Sequence, residues 1–188
     1  FGSSGDPLSQ DIATPFELDT LTATPDNNDN FLGGQTLRIF NGIRNEEFTN
    51  GGGRGNLRIA NAIELGADAE FFNDSGGDNF IYSGDVALGS NKLLLTTNGG
   101  NRGHIFDGVI SGTGSVDINA GGSGANFQFR TSNTFSGGVT VANNSRSTVF
   151  VRADEALGTG KAVFVGRNEF TLDSVDADPT LSNDIQIG

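Results

Sequence analysis

Short apolar pairs, each flanking one polar or differently facing residue, recur along the whole chain. This period of two is typical of short β-strands with one buried and one wet side. The clearest pairs are Leu37/Ile39, Leu57/Ile59, Ile63/Leu65, Val116/Ile118, Phe127/Phe129, Val139/Val141 and Ile185/Ile187. Glycine takes 29 of the 188 positions, and each glycine in a helix costs about 1 kcal/mol relative to alanine. The chain is therefore predicted to be all-β, and a helical bundle is excluded.

The apolar pairs also return at a nearly constant distance. A return of 20–25 residues is the length of one coil of a parallel β-helix, whereas a sandwich of hairpins does not predict a register held over several returns. The matches are Phe127/Phe129 with Val149/Val151, Leu93/Leu95 with Val116/Ile118, Val141 with Val163, and Val165 with Ile187. We expect a β-solenoid of roughly eight coils of about 22 residues. Its predicted inward-facing residues include Phe129, Val141, Val151, Val163 and Val165.

Phenylalanine is almost the only aromatic residue, with 15 copies against one tyrosine and no tryptophan. Flat rings can repeat from coil to coil at the spacing of neighbouring strands, about 4.8 Å. A stack of aromatic rings is therefore expected inside the solenoid.

Longer phrases repeat as well. Ala60–Gly66 (ANAIELG) matches Ser182–Gly188 (SNDIQIG), and Asp6–Ile12 (DPLSQDI) matches Asp178–Ile185 (DPTLSNDI). The chain starts and stops on the same phrase, as a segment of a tandem array would.

Four of these phrases resemble the autotransporter-associated β-strand repeat of bacterial passenger proteins. They are Gly108–Val116 (GVISGTGSV), Asn133–Val141 (NTFSGGVTV), Glu155–Gly160 (EALGTG) and Leu181–Ile185 (LSNDI), and the resemblance covers about residues 60–188. The resemblance implies a right-handed parallel β-helix in a large secreted or surface-displayed bacterial protein. Its implied role is structural or adhesive, with a surface glycan or a protein as the ligand.

Two parts of the chain are distinguished. Residues 1–30 hold three of the four prolines and only sparse apolar residues, namely Ile12, Phe16, Leu18 and Leu21, so they are predicted to be an extended segment that caps the solenoid or adds a strand to it. Residues 31–188 are predicted to form the β-helix. Because Leu181–Gly188 has the pattern of an interior strand, we expect it to meet another coil, from the same polypeptide or from an identical subunit. Such end-to-end contact builds a filament or stalk.

The net charge of −12, from 23 acidic and 11 basic residues, makes nucleic acid a poor partner. No apolar run approaches the roughly 18 residues of a membrane helix, so no membrane insertion by this segment is expected. Zero cysteines exclude disulfides and thiol chemistry.

Calcium is the one ion for which the chain offers candidates, since Asp74 and Asp78 within Asn73–Asn79 supply carboxylates across a glycine turn. Asp26–Asn30 begins like an EF-hand loop, but Phe31 and Leu37 replace the required glycine and glutamate. The glycine-rich Gly51–Gly55 lacks the Lys-Ser/Thr pair of a phosphate loop and is interpreted as a turn.

Catalytic candidates are few. His104 is the only histidine, and a Ser-His-Asp site with Asp107 lacks a nucleophile elbow. Acids at 173, 176 and 178, with arginines at 130, 146 and 152, have the residue types of a polysaccharide-cleaving site, but solvated loops explain them equally. We expect no catalytic residue, no cofactor and no enzymatic activity.

Three hypotheses for the function remain. The first is a structural or adhesive module of a secreted or cell-surface bacterial protein. The second is a carbohydrate-binding or polysaccharide-degrading β-helix, which requires Asp, Arg and aromatic side chains to converge on one outer face. The third is a calcium-stiffened extracellular matrix subunit, which requires stability that depends on the ion.

Overall fold

A computed structural model describes residues 8–10, 15–24, 29–46, 55–74, 78–98, 102–122, 124–172 and 178–188. These residues form seventeen β-strands and no helix, and so none of them belongs to a helix long and apolar enough to cross a membrane. The strands are β1 (Leu8–Gln10), β2 (Phe16–Ala23), β3 (Asn30–Gly34), β4 (Leu37–Asn45), β5 (Leu57–Ile59), β6 (Ile63–Leu65), β7 (Ala69–Asn73), β8 (Asn79–Tyr82), β9 (Val86–Ala87), β10 (Leu93–Thr97), β11 (Gly103–Phe106), β12 (Ile110–Ser111), β13 (Val116–Ala120), β14 (Ala125–Phe129), β15 (Val139–Val151), β16 (Ala162–Leu172) and β17 (Ile185–Ile187).

Every strand pairs in parallel with the equivalent strand of the next turn, giving a β-solenoid of about six turns. Pairing defines three faces. Face 1 contains β1, β3, β5, β8, β11, β14 and the second halves of β15 and β16. Face 2 contains the first parts of β2 and β4, then β6, β9 and β12. Face 3 contains the later parts of β2 and β4, then β7, β10, β13, the first halves of β15 and β16, and β17. The predicted all-β parallel solenoid is thus confirmed. Because β1 and β2 pair with β3 and β4, part of the predicted N-terminal segment joins these faces.

The interior is apolar and laddered, because alternate residues of each strand point inward and stack on their equivalents one coil away. Tyr82, Phe106 and Phe129 form one run, with ring centroids 4.4 and 5.5 Å apart and ring planes within 11° of parallel. Phe80, His104 and Phe127 form a second run beside it, with centroids 5.8 and 5.7 Å apart. Each such pair adds about 0.5–1.5 kcal/mol beyond the area it buries. The expected aromatic stack is therefore present.

Buried asparagines tie successive coils together at the corners. The Asn133 amide accepts a hydrogen bond from the Ile110 N–H and donates one to the Ala156 carbonyl, both at 2.6 Å. Asn61 donates to the Gln35 carbonyl, and Asn183 donates to the carbonyls of Gly158 and Gly160. Each corner carbonyl or N–H that leaves the strand ladder still needs a partner when it is buried, and these amides supply it.

Glycine is required where two corners meet backbone to backbone. A Cβ added at Gly108 would overlap the Gly84 carbonyl, and one added at Gly137 would overlap the Gly114 carbonyl. The repeated pattern of an aromatic residue, a spacer and glycine in the sequence therefore marks places where the chain of one coil touches the next.

The predicted core contains two errors. Phe129, Val141 and Val151 are fully buried, but Val163 is only half-buried and Val165 is 45% exposed. Phe164 takes the inward position, because Val141 pairs with Phe164 and Phe164 pairs with Ile187. The return there is 23 residues (141 to 164), and a slip of one residue moves a strand's side chains to the opposite face. Val141 and Val163 consequently face opposite sides, while the strands stay parallel.

An irregularity in β15 explains the slip. Asn143 pairs with Gly166, a return of 23, whereas Ser147 pairs with Asn168, a return of 21. The predicted matches of Leu93/Leu95 with Val116/Ile118 and of Phe127/Phe129 with Val149/Val151 are confirmed. The coil length is therefore a local property and not a fixed 22 residues.

Candidate functional site

The two calcium candidates, Asp74 and Asp78, flank residues 75–77, which lie outside the described residues. Asp74 Oδ1 accepts a hydrogen bond from Arg102 Nη1 at 2.9 Å, and the Arg102 side chain is only 13% exposed. The guanidinium compensates the Asp74 charge in the place where a cation would bind. Within the described ranges, no three His, Asp or Glu side chains are grouped so as to hold a metal ion. Calcium binding at Asp74 and Asp78 stays a prediction.

Several other sequence candidates lie wholly or partly outside the described residues. These are Asp26–Asn28 of the EF-like segment, Gly51–Arg54 of the glycine-rich turn, and Asp173 and Asp176. Asp178 is exposed. Arg146 pairs with Glu169 at 2.8 Å, while Arg130 and Arg152 follow paired strands of face 1, directly after Phe129 and Val151.

His104 lies inside the solenoid and is completely buried. Its Nε2 is 2.9 Å from the Thr96 carbonyl oxygen, and its Nδ1 is 2.9 Å from the Tyr82 hydroxyl. A carbonyl only accepts, so Nε2 carries the proton and Nδ1 accepts from Tyr82. Burial lowers the pKa of His104 to about 4, partly opposed by the Thr96 hydrogen bond, and burial raises the pKa of Tyr82 well above its ordinary value. The pair is neutral at physiological pH.

The arrangement does not assemble a His–Asp pair. His104 points inward, whereas Asp107 lies on the outer side, where it accepts from Arg58 and Arg130. The two ring nitrogens of His104 are occupied by Tyr82 and Thr96. The Ser-His-Asp combination considered from the sequence is therefore not brought together, and His104 is a stacked core residue.

Asp107 is the centre of a charged cluster on the outside of face 1. Arg58 Nη1 lies 3.4 Å from Asp107 Oδ2, and Arg130 Nη1 lies 3.1 Å from Asp107 Oδ1. The three side chains are 42%, 36% and 28% exposed for Arg58, Arg130 and Asp107. The remaining hydrogen-bond partners of the two arginines are Ser83 Oγ, at 2.7 Å from Arg58, and Gln128 Oε1, at 2.8 Å from Arg130. Two guanidiniums therefore share one carboxylate, which leaves this spot positive.

Aromatic residues lie on the same outer side. The register aligns one outward residue per coil along face 1, in the order Phe31, Arg58, Ile81, Ile105, Gln128 and Phe150. Phe31 is 38% exposed, and Phe150 is half-buried, with the Arg152 guanidinium 5.5 Å from its ring centre. We call Phe31, Arg58, Asp107, Gln128, Arg130 and Phe150 the arginine band.

Sequence reasoning named only Asp107 and Arg130 of the arginine band, and it did not connect them. Arg58 was visible as the polar residue between Leu57 and Ile59, and alternation alone places it outside. Its proximity to Arg130, 72 positions away in the sequence (58 to 130), depends on three intervening coil returns. That proximity could be found only by fixing the register of every return.

Comparison with known proteins gives no match to a family model, to a curated protein or to a solved structure. The solenoid and the arginine band are therefore interpreted on their own geometry.

Proposed function

We propose that this chain is a structural and adhesive β-solenoid module of a large secreted or cell-surface bacterial protein. The observation that carries the proposal is the position of the phrases that resemble the autotransporter-associated repeat. Asn133 of NTFSGGVTV and Asn183 of LSNDI are corner amides that bond one coil to the next. The wording of the repeat is thus explained by coil stacking, which is what a rigid extended scaffold requires.

The finer architecture belongs to the same proposal. We propose a right-handed solenoid with roughly eight coils, of which the first and last are incomplete among the described residues. Support comes from β1 and β17, short strands that pair in parallel with β3 and β16 at the two ends of the pairing order. Right-handed crossover connections between parallel strands are the general rule in proteins.

End-to-end contact is the third part of the proposal. Strand β17 pairs with β16 on one side only among the described strands. Its Ile185 is 43% and its Ile187 is 83% exposed. An exposed strand edge with apolar side chains is a site for pairing with a further strand. We therefore propose that β17 meets another coil, either of the same polypeptide or of an identical subunit.

Display on bacterial cells tests the adhesive role. Cells that display the chain should be accessible to an antibody against it and should attach to surfaces or to each other more than cells without it. The control is a Val141→Asp chain displayed in equal amount, whose fold is broken. Equal attachment with both chains would contradict the proposed role.

The end contact has its own test. Sedimentation velocity should show concentration-dependent, end-to-end oligomers of the purified chain, and Ile187→Lys should reduce them because a charge on the exposed strand opposes pairing. The matched control is Val165→Lys, which places the same charge on an exposed side chain of β16. A purely monomeric chain at all concentrations would refute contact between identical subunits.

A further inference from the structure

The outside of face 1 differs from the rest of the surface in charge. The protein as a whole carries −12, but the centre of the arginine band has two guanidiniums for one carboxylate. The other printed partners of those guanidiniums, Ser83 and Gln128, are neutral. At physiological ionic strength, charges are screened beyond about 8 Å, so a bound group would respond to this local excess and not to the distant acidic residues.

The arginines are also held in place. Arg58 is fixed by the Ser83 hydroxyl and by Asp107, and Arg130 is fixed by Asp107 together with two hydrogen bonds to Gln128 Oε1, at 3.1 and 2.8 Å. Gln128 in turn donates to Asn126 at 3.2 Å. A guanidinium oriented in advance loses less freedom on binding than a free side chain does. Because both arginines keep more than a third of their side chains exposed, they remain accessible.

The band is long and straight. From Phe31 to Phe150 the register passes through five strand pairings, from β3 through β5, β8, β11 and β14 to β15. At about 4.8 Å per pairing, the two rings lie roughly 24 Å apart along the solenoid. The cations occupy the middle of this span, and the amides of Gln128 and Asn126 lie among them. The pattern suits an extended polymer that carries both acidic groups and hydroxyls.

We propose that the arginine band binds an anionic polysaccharide. Acid groups of the polymer pair with Arg58 and Arg130, its hydroxyls bond to the Ser83, Asn126 and Gln128 side chains, and its sugar rings pack on Phe31 and Phe150. Guanidiniums recognise carboxylate and sulfate groups through paired, charge-assisted hydrogen bonds. An acidic peptide would use the cations but not the neutral amides and the terminal rings, so the polysaccharide is the occupant that uses the whole band. The inference rests on the adhesive part of the proposed function and gives its ligand a chemical class.

Purified chain and soluble probes are enough to test the inference. The probes are polygalacturonate, heparin, neutral dextran and poly-glutamate, and affinity electrophoresis or calorimetry at low and at physiological salt measures binding. We expect the chain to bind polygalacturonate or heparin, more weakly as salt rises, and to leave dextran unbound. The double variant Arg58→Gln/Arg130→Gln should weaken binding roughly tenfold or more.

The matched control is Arg38→Gln/Arg44→Gln, which makes the same charge change at arginines of β4 that pair with glutamates. It should change the affinity less than about twofold. Arg130→Gln alone, which leaves the Arg58–Ser83 bond intact, serves if the double variant unfolds early in a thermal melt.

Three results would overturn the inference. The first is no binding of either anionic polysaccharide, and the second is an equal loss in the band variant and in the control. The third is equally tight, band-dependent binding of poly-glutamate, which would assign the site to an acidic peptide. Each of them leaves the sedimentation test of coil stacking unaffected, so failure of the ligand and failure of the structural role are distinguishable.

Discussion

The two sides of face 1 carry polar groups one or two residues apart in the chain, and they satisfy them in opposite ways. Inside, His104 and Tyr82 share one neutral hydrogen bond between stacked rings. Outside, Arg58, Asp107 and Arg130 keep their charges and share contact with water. The same strands therefore offer a dry environment, where charge is costly, and a wet one, where charge is tolerated.

This contrast predicts its largest effect where a charge is forced to the wrong side. Val141→Asp places a carboxylate at a fully buried position and should destabilise the fold by several kcal/mol. Val163→Asp, on the half-buried side opposite Thr140, should cost less than about 1 kcal/mol. Urea unfolding of both variants measures the difference. If the two midpoints fall equally, the register described for β15 and β16 is wrong.

The same contrast predicts a pH dependence from His104. Its pKa is about 4 in the folded chain, against an ordinary value of 6.5, so between these values the unfolded chain binds a proton that the folded chain does not. Stability from this group is complete above about pH 6.5, falls as the pH drops towards 4, and falls no further below that. The full loss is about 3 kcal/mol. The other buried polar side chains described are uncharged amides and hydroxyls, so none can compensate a buried imidazolium.

Chemical denaturation at several pH values measures the His104 effect, with Tyr82→Phe/His104→Phe as the comparison. The double variant replaces both partners, so it leaves no side-chain group without its bond. Its stability should decline less than that of the parent between pH 6.5 and 4. Parallel pH curves for the two proteins would show that His104 does not supply the acid sensitivity.

Corner amides should give a smaller effect. Asn133→Ala removes one side chain that satisfies two buried backbone groups, the Ile110 N–H and the Ala156 carbonyl, and should cost about 2 kcal/mol. Asn119 is exposed on the outer side of β13, so Asn119→Ala should be nearly neutral. Thermal melts of the two variants, side by side, test whether the corner bond or the loss of an asparagine as such is responsible.

Local alternation was enough to predict the sides of Leu57, Arg58 and Ile59, because polar and apolar residues differ sharply there. It failed over Ala162–Val165, where all four residues are apolar and either phase fits the pattern. The correct phase is set by Val141 and Ile187 in the neighbouring coils and by the irregularity between Asn143 and Ser147. Register is thus a property of the stack, and one strand's sequence does not contain it.

The arginine band illustrates the same limit for function. Asp107 and Arg130 were each visible as charged residues, but their common partner Arg58 lies 49 positions before Asp107 (58 to 107). Coil returns vary from 26 residues between Leu37 and Ile63 to 21 between Thr148 and Glu169. A sequence argument that assumes a constant 22 therefore loses the alignment before it reaches the third coil, and with it the convergence of the cluster.

The smallest effect is expected at an isolated ion pair on the outer surface. Arg146 lies 2.8 Å from Glu169, but their side chains are 75% and 47% exposed. In such a pair, water already solvates both charges and two long side chains lose freedom, so the net gain is about 0–1 kcal/mol. Arg146→Gln should accordingly shift the urea midpoint only slightly, and less still at high salt, where the pair is screened. Arg102→Gln is the informative comparison, since Arg102 is 13% exposed and bonds to Asp74 at 2.9 Å. Its loss leaves the Asp74 carboxylate, 30% exposed, without its bonded cation and should cost more than the loss of Arg146. A larger cost at Arg146 than at Arg102 would mean that exposure does not govern what charges contribute on this surface.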